Sequence, residues 1–449
     1  MRKYCLLLII LFSSVLSYCQ QNRINKKHGN KSIESLKKYS INVKSIDPAN
    51  EGFSDLMPLK EKVGNSRLVV LGEDSHGDGE TWKAKIRLVK FLHEQMGFDV
   101  IAWEFNYSLD LYINQALHKD SLNLSKDQYY GFGWDAGKPL TELISYTKKT
   151  FHSNHPILYA GFDFDRPPAG PYVCNMIYHL GDLNVSLITS ENDRENIDSL
   201  SGSIHGFLGN VYSKNFSKKG YAKAVNIVRC LKNNFINNKT DILSKIGHES
   251  YRNDSLMMES VLMDIEIDSL SKIDMGKWNS KRDEYMAKRI NWLIEKKYRG
   301  EKIIIWSATA HLIRNSTTIK RFDSLNVPQY SWTYKQAGDY LAANLGSQMY
   351  TIAFTSYEGQ TGDIMLNNEK YIDTLKTPEL NSYEDLAHKT NQKYLFTDLK
   401  NSPAGSWLSK EFLAYPLGYN KDQAQWKRVI DAFFFIDEMK PVEHRPLKK

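Results

Sequence analysis

A chain of 449 residues with 41% apolar and 12% aromatic side chains can bury a large core, which excludes wholesale disorder. Its 26 glycines, 13 prolines and 4 cysteines exclude a collagen or a disulfide scaffold, and no internal run approaches the roughly 18 apolar residues of a membrane span. The net charge of +7 sits at the ends: residues 1–20 carry +2, residues 21–44 carry +6 and residues 440–449 carry +3, leaving the body at −4 with no obvious face for nucleic acid.

Residues 1–19 have the parts of a secretory signal peptide: Arg2 and Lys3, the apolar run Leu6–Leu16, then Ser17 and Cys19 ahead of a cut before Gln20. The expectation is an exported protein, periplasmic or secreted, without a membrane span. Lipidation of Cys19 competes with cleavage, because Leu16-Ser17-Tyr18-Cys19 resembles a lipobox, although Tyr18 stands where a small residue is usual. Cys174 and Cys230 remain after the cut, and both pairing and two free thiols stay open. Residues 20–45 are polar and basic and read as a flexible leader, with the fold starting near Ile46.

From there, short β-rich runs alternate with longer helical patterns. Arg67–Gly72, Asp99–Glu104, Pro156–Phe162, Lys302–Trp306 and Met349–Phe354 are nearly continuous apolar runs of strand length, as in strands buried on both faces. Trp82, Ile86, Val89, Leu92 and Met96 fall at spacings of three and four and predict a helix over 82–96. The pattern predicts an α/β fold, a central mainly parallel sheet flanked by helices in three layers. The stretch between the third and fourth strands is too long for one crossover. It predicts an inserted helical subdomain over 170–280, between a first part of the core at 46–169 and a second part with its closing segment at 281–439. Lys281–Lys297 reads as the helix that returns to the sheet, Phe433–Ile436 as part of the closing segment, and 440–449 as a basic tail.

In an open α/β sheet, ligands bind outside the carboxyl ends of the strands. Glu73 and His76 follow the first run, Glu104 ends the second, Asp163 and Asp165 follow the third, and His311 follows the fourth. Parallel strands would bring these residues to one edge. Taken singly, each has a plain structural reading: a loop histidine bonded to backbone, a helix cap, half of an ion pair. An apolar strand ending in Glu104, however, needs a partner if the carboxylate is buried, and Lys85 and Arg87 on the helix after the Glu73 loop are natural ones. No G-x-S-x-G elbow, P-loop or G-x-G-x-x-G is present, and Ser75 is too close to His76 in sequence to pair with it as a nucleophile. His76, His311 and a glutamate would also make a zinc set.

Leu71-Gly72-Glu73-Asp74-Ser75-His76-Gly77, the helix running to Gly97-Phe98, the Ala102-Trp103-Glu104 strand end, Arg282-Asp283-Glu284-Tyr285-Met286-Ala287 and the Trp306 to His311 segment together resemble the erythromycin esterase family. The likeness runs from about residue 46 to Phe435-Ile436-Asp437-Glu438-Met439. The resemblance implies that His76 is the general base, Glu73 and Glu104 the two essential carboxylates and His311 the second histidine, with no metal or other cofactor. The family's arginine falls at Lys85 here, with Arg87 two residues on, and lysine lacks the planar fork of arginine. The expected reaction is water attack on an ester or lactone, a macrolide among the candidates, with Lys85, Arg87 or His311 stabilising the oxyanion or protonating the leaving alcohol, and Asp163 binding substrate. A metal-dependent hydrolase or peptidase on the same cluster, and an exported binding protein without catalysis, are the alternatives.

Overall fold

The computed structural model describes residues 31–106, 114, 137–163, 226, 229, 232–271, 274–322, 328–362 and 371–444. The signal peptide, Cys174, Cys230, Asp165 and most of the expected insertion lie outside these residues. The central sheet has nine strands. Eight run in the order β1 (Ser40–Asn42), β10 (Tyr394–Asp398), β13 (Ala432–Met439), β8 (Met349–Thr361), β2 (Leu68–Glu73), β5 (Lys302–Ala308), β3 (Phe98–Asn106) and β4 (Leu158–Asp163). The ninth, β9 (Asp373–Thr374), pairs with the far end of β8. From β13 to β4 every neighbouring pair is parallel, whereas β10 and β1 are added antiparallel. A second, antiparallel sheet is formed by β11 (Phe412–Ala414), β12 (Asp422–Ala424), β6 (Lys320–Phe322) and β7 (Pro328–Ser331).

The apolar runs are continuous because alternate side chains serve two cores. Val69, Leu71, Ile101, Trp103, Ile304 and Trp306 face one layer, built on α3 (Gly79–Met96) and α4 (Leu140–Phe151). Leu68, Val70, Val100, Ala102, Ile303 and Ile305 face the other, where Met286, Ile290 and Leu341 come from α6 (Met275–Trp292) and α8 (Ala337–Leu345). Each strand residue thus removes apolar surface from water on its own side, at about 1.5–3 kcal/mol for a fully buried aliphatic or Phe side chain.

Two parts of the chain depart from expectation. Residues 31–39 form a helix, α1, and β1 pairs with β10, with Leu36 fully buried, so the second half of the expected leader is part of the fold. Too few apolar residues there gave a pattern, yet Leu36, with Ile33 and Tyr39 packed beside it, anchors the helix against the core next to β10 and β13. The closing segment is itself a strand of the main sheet, and of the expected tail, residues 440–442 lie against the start of α3 and residues 443–444 against Gly137 and Lys138, ahead of α4. Two helices carry the remaining landmarks: α2 (Pro58–Val63) and α5 (Lys239–Ser271), the latter broken at Gly247 and preceding α6. After β5 comes the four-residue α7 (Thr309–Leu312), and α9 (Tyr383–His388) leads into β10.

Candidate active site

Parallel pairing puts the ends of β2, β5, β3 and β4 on one edge. The register sets Glu73 beside Ala308 and Trp103 beside Trp306. Glu104 sits where the pairing of β3 with β4 shifts, between Trp103 and Asn106. His311 lies one helical turn beyond β5, on α7. Glu73, Glu104, Asp163 and His311 therefore meet, together with His76 from the loop between β2 and α3.

The first half of the site is a histidine backed by a buried carboxylate. His76 Nδ1 lies 2.7 Å from Glu73 Oε1, so it donates its N–H to the carboxylate and the lone pair is left at Nε2. The ring is 40% exposed, whereas the Glu73 side chain is fully buried. Enclosure works against charge on His76, but the Glu73 hydrogen bond and the Glu104 charge outweigh it and hold its pKa above the ordinary imidazole value. Ser75 turns away, its Oγ accepting from the Gly77 N–H.

Lys85 stands behind Glu73. Its ammonium bonds Glu73 Oε2, donates to the Ser307 carbonyl at 3.3 Å and lies 4.7 Å above the Trp306 ring, with none of its side chain exposed. Burial lowers its pKa, against the pull of Glu73. A cation so placed cannot touch an oxyanion in the cleft. It acts through Glu73, which corrects the expectation that Lys85 meets the reacting oxygen. Arg87 is not in the site at all. It points the other way along α3, where it donates to Asp55 at 2.7 and 3.1 Å and to the carbonyls of Ser45 and Gly52 at 2.6 Å, pinning the segment before α2. Lys85 and Arg87 are two residues apart on a helix, so they cannot face the same way.

The second half is built on α6. His311 Nδ1 donates to Asp283 Oδ1 at 2.5 Å, while Nε2 lies 2.9 Å from Arg282 Nη1 and 3.3 Å from Glu104 Oε1. Burial opposes a charge on this ring, but Asp283 and Glu104 outweigh it and push its pKa to about 10. The two Nε2 contacts are alternatives: a protonated Nε2 donates to Glu104, and a bare one accepts from Arg282. Glu104 also accepts the Ala308 N–H at 2.8 Å. Burial would raise its pKa, yet His311 and Arg282 hold it well below the carboxylate range.

Asp163 does not present itself to a substrate. Both of its oxygens accept from Arg282, through Nε at 3.1 and 3.2 Å and Nη2 at 2.5 Å, and its side chain is buried. It fixes the guanidinium whose Nη2 also donates to Glu104 at 2.8 Å. Sequence reasoning assigned no role to Arg282 or Asp283. The signal was there: Arg282, Met286 and Ile290 fall at spacings of four on a stripe that faces the core, and a charge on such a stripe calls for a buried partner.

Among the described residues, no three His, Cys, Asp or Glu side chains are grouped to hold a metal ion. The cluster is instead two histidines, each with Nδ1 tied to its own carboxylate, and one arginine shared by Glu104, Asp163 and His311. That arrangement can take a proton at one ring and give one at the other.

Comparison with known proteins places the chain in a family. The family described as Erythromycin esterase matches residues 93–439. The chain belongs to the erythromycin esterase family. This makes it an esterase-like hydrolase by kinship, and the α/β fold agrees with that of the relatives. It is 26% identical over 425 residues to the provisionally named hydrolase YbfO of Bacillus subtilis (strain 168), covering 88% of this chain and 89% of the relative. It is 21% identical over 427 residues to the Escherichia coli erythromycin esterase type II, covering 88% and 94%. Among solved structures, a Bacillus cereus protein superposes with a TM-score of 0.73 at 19% identity, over 93% of this chain and 99% of that one. An erythromycin esterase mutant in its open conformation gives 0.66 at 16% identity, over 88% and 96%.

Proposed function

We propose that this member of the erythromycin esterase family hydrolyses an ester or lactone of a small molecule by water attack. The observation that carries the reading is the pair of opposed dyads, Glu73–His76 and Asp283–His311, at one sheet edge. In the forward step His76 Nε2 takes a proton from water, and the hydroxide oxygen bonds to the carbonyl carbon. Glu73, held by Lys85, keeps the proton on Nδ1 and offsets the imidazolium that forms. The positive charges of Arg282 and protonated His311 stabilise the oxyanion. When the carbon–oxygen bond breaks, His311 Nε2 gives its proton to the leaving alkoxide and then accepts from Arg282, so an acid and an alcohol are released with charge balanced. His76 then loses its proton to solvent and His311 regains one from solvent or from the product acid, which restores the starting state.

This scheme uses no metal; a carboxylate on Nδ1 also stands behind zinc-bound imidazoles, so the chelator arm of the test decides between the two. The E. coli relative is named for a macrolide ester, so macrolide lactones belong in the substrate panel beside simple esters. Export is part of the reading, on the strength of the basic and apolar residues 1–19. The test is a turnover screen of the signal-free protein against macrolides, other lactones and aryl and alkyl esters, with and without a chelator. A hit should survive chelation and fall by about 10²–10⁴ in His76→Ala, the usual share of a general base. Activity lost on chelation and restored by zinc would make His76 a ligand instead, and the absence of any turnover would favour a binding protein on this fold.

A further inference from the structure

The loop that carries His76 is held from three directions, and the Asp78 carboxylate makes two of these ties while its neighbours Gly77 and Gly79 make the third. Its carboxylate is fully buried. Oδ1 accepts from Thr361 Oγ1 at 2.6 Å, at the end of β8, and Oδ2 accepts from the Tyr419 hydroxyl at 2.8 Å and the Ser75 N–H at 3.1 Å. On either side of Asp78 the backbone is tied to the segment that follows β13. The Gly79 N–H donates to the Lys440 carbonyl and the Val442 N–H to the Gly77 carbonyl, both at 2.8 Å. Asp74 strengthens the same join, accepting the N–H groups of Gly418 and Tyr419 at 2.5 and 3.0 Å. The indole N–H of Trp82 donates to the His76 carbonyl at 3.1 Å.

We propose that Asp78 is a positioning residue for His76. It gathers three donors from three segments onto one side chain, two residues from the ring, and so fixes the loop in the shape that lets Nδ1 reach Glu73. An asparagine would keep one acceptor oxygen but would turn an NH2 group toward donors. The titratable groups around Asp78 are Glu73 at the end of β2, Asp74 on its own loop, Lys85 on α3 and Tyr419 on the facing turn, with Glu384 of α9 beyond Asp74. The catalytic arm of this proposal rests on the reading of His76 as base, whereas the arm concerning loop shape does not.

The experiment compares wild type, Asp78→Asn and Tyr419→Phe by hydrogen exchange of residues 74–79, by NMR titration of the His76 ring and by the steady-state constants for any ester found. In Asp78→Asn the loop amides should exchange at least about 10-fold faster while those of β2 and α3 keep their protection. The His76 pKa should fall toward the ordinary value, and kcat should drop by about 10–100-fold with KM little changed, the scale of a misplaced catalytic group. Tyr419→Phe should shift all three in the same direction by less. Wild-type loop exchange and an unmoved His76 pKa in a folded Asp78→Asn protein overturn the proposal. If that variant does not fold, an unmoved His76 pKa in Tyr419→Phe overturns it, because only one hydroxyl has been removed. Failure to find any turnover would sink the esterase reading and leave exchange and titration to decide the role of Asp78.

Discussion

At the scale of single residues, the proposed reaction divides the work between two histidines by their surroundings. His76 must be neutral to take a proton, and its pKa is held above the ordinary imidazole value of about 6.5 by Glu73 and Glu104 against its enclosure. His311 must be charged to give one, and it stays so up to about 10. A pH profile of kcat/KM should therefore rise through an acid limb above the ordinary histidine value and fall again near the His311 value. Glu73→Gln should move the acid limb down, since the anion that favours imidazolium is gone, and an acid limb that stays in place would mean that some other group is titrating. Two cations of α3, Lys85 and Arg87, allow a sharper comparison. Lys85→Ala leaves the buried Glu73 without its cation, and Arg87→Ala leaves Asp55 without its own. Each should cost about 3–5 kcal/mol of stability, as when one partner of a buried pair is removed. Only Lys85→Ala should lower turnover per folded molecule. A rate loss in folded Arg87→Ala would show that α3 transmits strain from the segment before α2 into the site. Nothing in the residue pattern assigned one of these two to the site, because the direction each faces depends on which side of α3 meets the sheet.

At the scale of elements, α7 is the weak point of the design. It has four residues, too short to be stable by its own hydrogen bonds, yet it carries His311. Its position comes from two glycines. A Cβ on Gly72 of β2 would lie 2.7 Å from Thr309 Oγ1 and 2.9 Å from its Cα, and a Cβ on Gly338 of α8 would overlap the backbone of Leu312 and Ile313. Gly338→Ala must push α7 aside, so it should lose about 1–3 kcal/mol of stability, the usual range for overpacking. It should also lower kcat more than KM, with the His311 pKa moved as the ring leaves Asp283. Unfolding midpoints and kinetics in parallel check this, and full activity in a folded Gly338→Ala protein would show that α7 can be displaced without harm. The strands that lead to the site were legible as apolar runs, and parallel pairing followed from their alternation with helices. The element that completes the site, α6, was read only as a return to the sheet, because its mean pattern is polar and its buried charges make sense only beside Glu104, Asp163 and His311.

At the scale of the whole molecule, burial of acids links stability to pH. Glu384 is fully buried, accepting from Thr355 Oγ1 at 2.8 Å and the Tyr415 N–H at 2.9 Å, and burial raises its pKa to about 7; Asp78 is likewise raised to about 6. Between the unfolded and folded values, the folded protein holds a proton that the unfolded chain has lost. The sign follows: these groups add stability as pH falls through about 7 and 6, and they subtract it at alkaline pH, by about 3 kcal/mol for Glu384. Denaturant unfolding at about pH 5 and about pH 8 should show a smaller difference for Glu384→Gln than for wild type. An unchanged difference would place the linkage elsewhere. The antiparallel strands β10 and β1 and the second sheet were not legible, since edge pairing depends on which loops return, and short strands of three residues leave no period to read.

The grip on the His76 loop has a consequence in time. Asp74 and Gly418 are 344 positions apart, and Asp78 and Tyr419 are 341 apart. A ribosome adding about 5–20 residues each second needs tens of seconds to bridge that gap. During that interval the nascent chain already contains His76, Glu73, Glu104 and Lys85, and later Thr361, but neither the turn at Gly418 and Tyr419 nor residues 440–442, which complete the clasp on the turn between β2 and α3. Hydrolytic competence should thus arrive with the last strand, so that prematurely terminated products are silent whichever of these residues they carry.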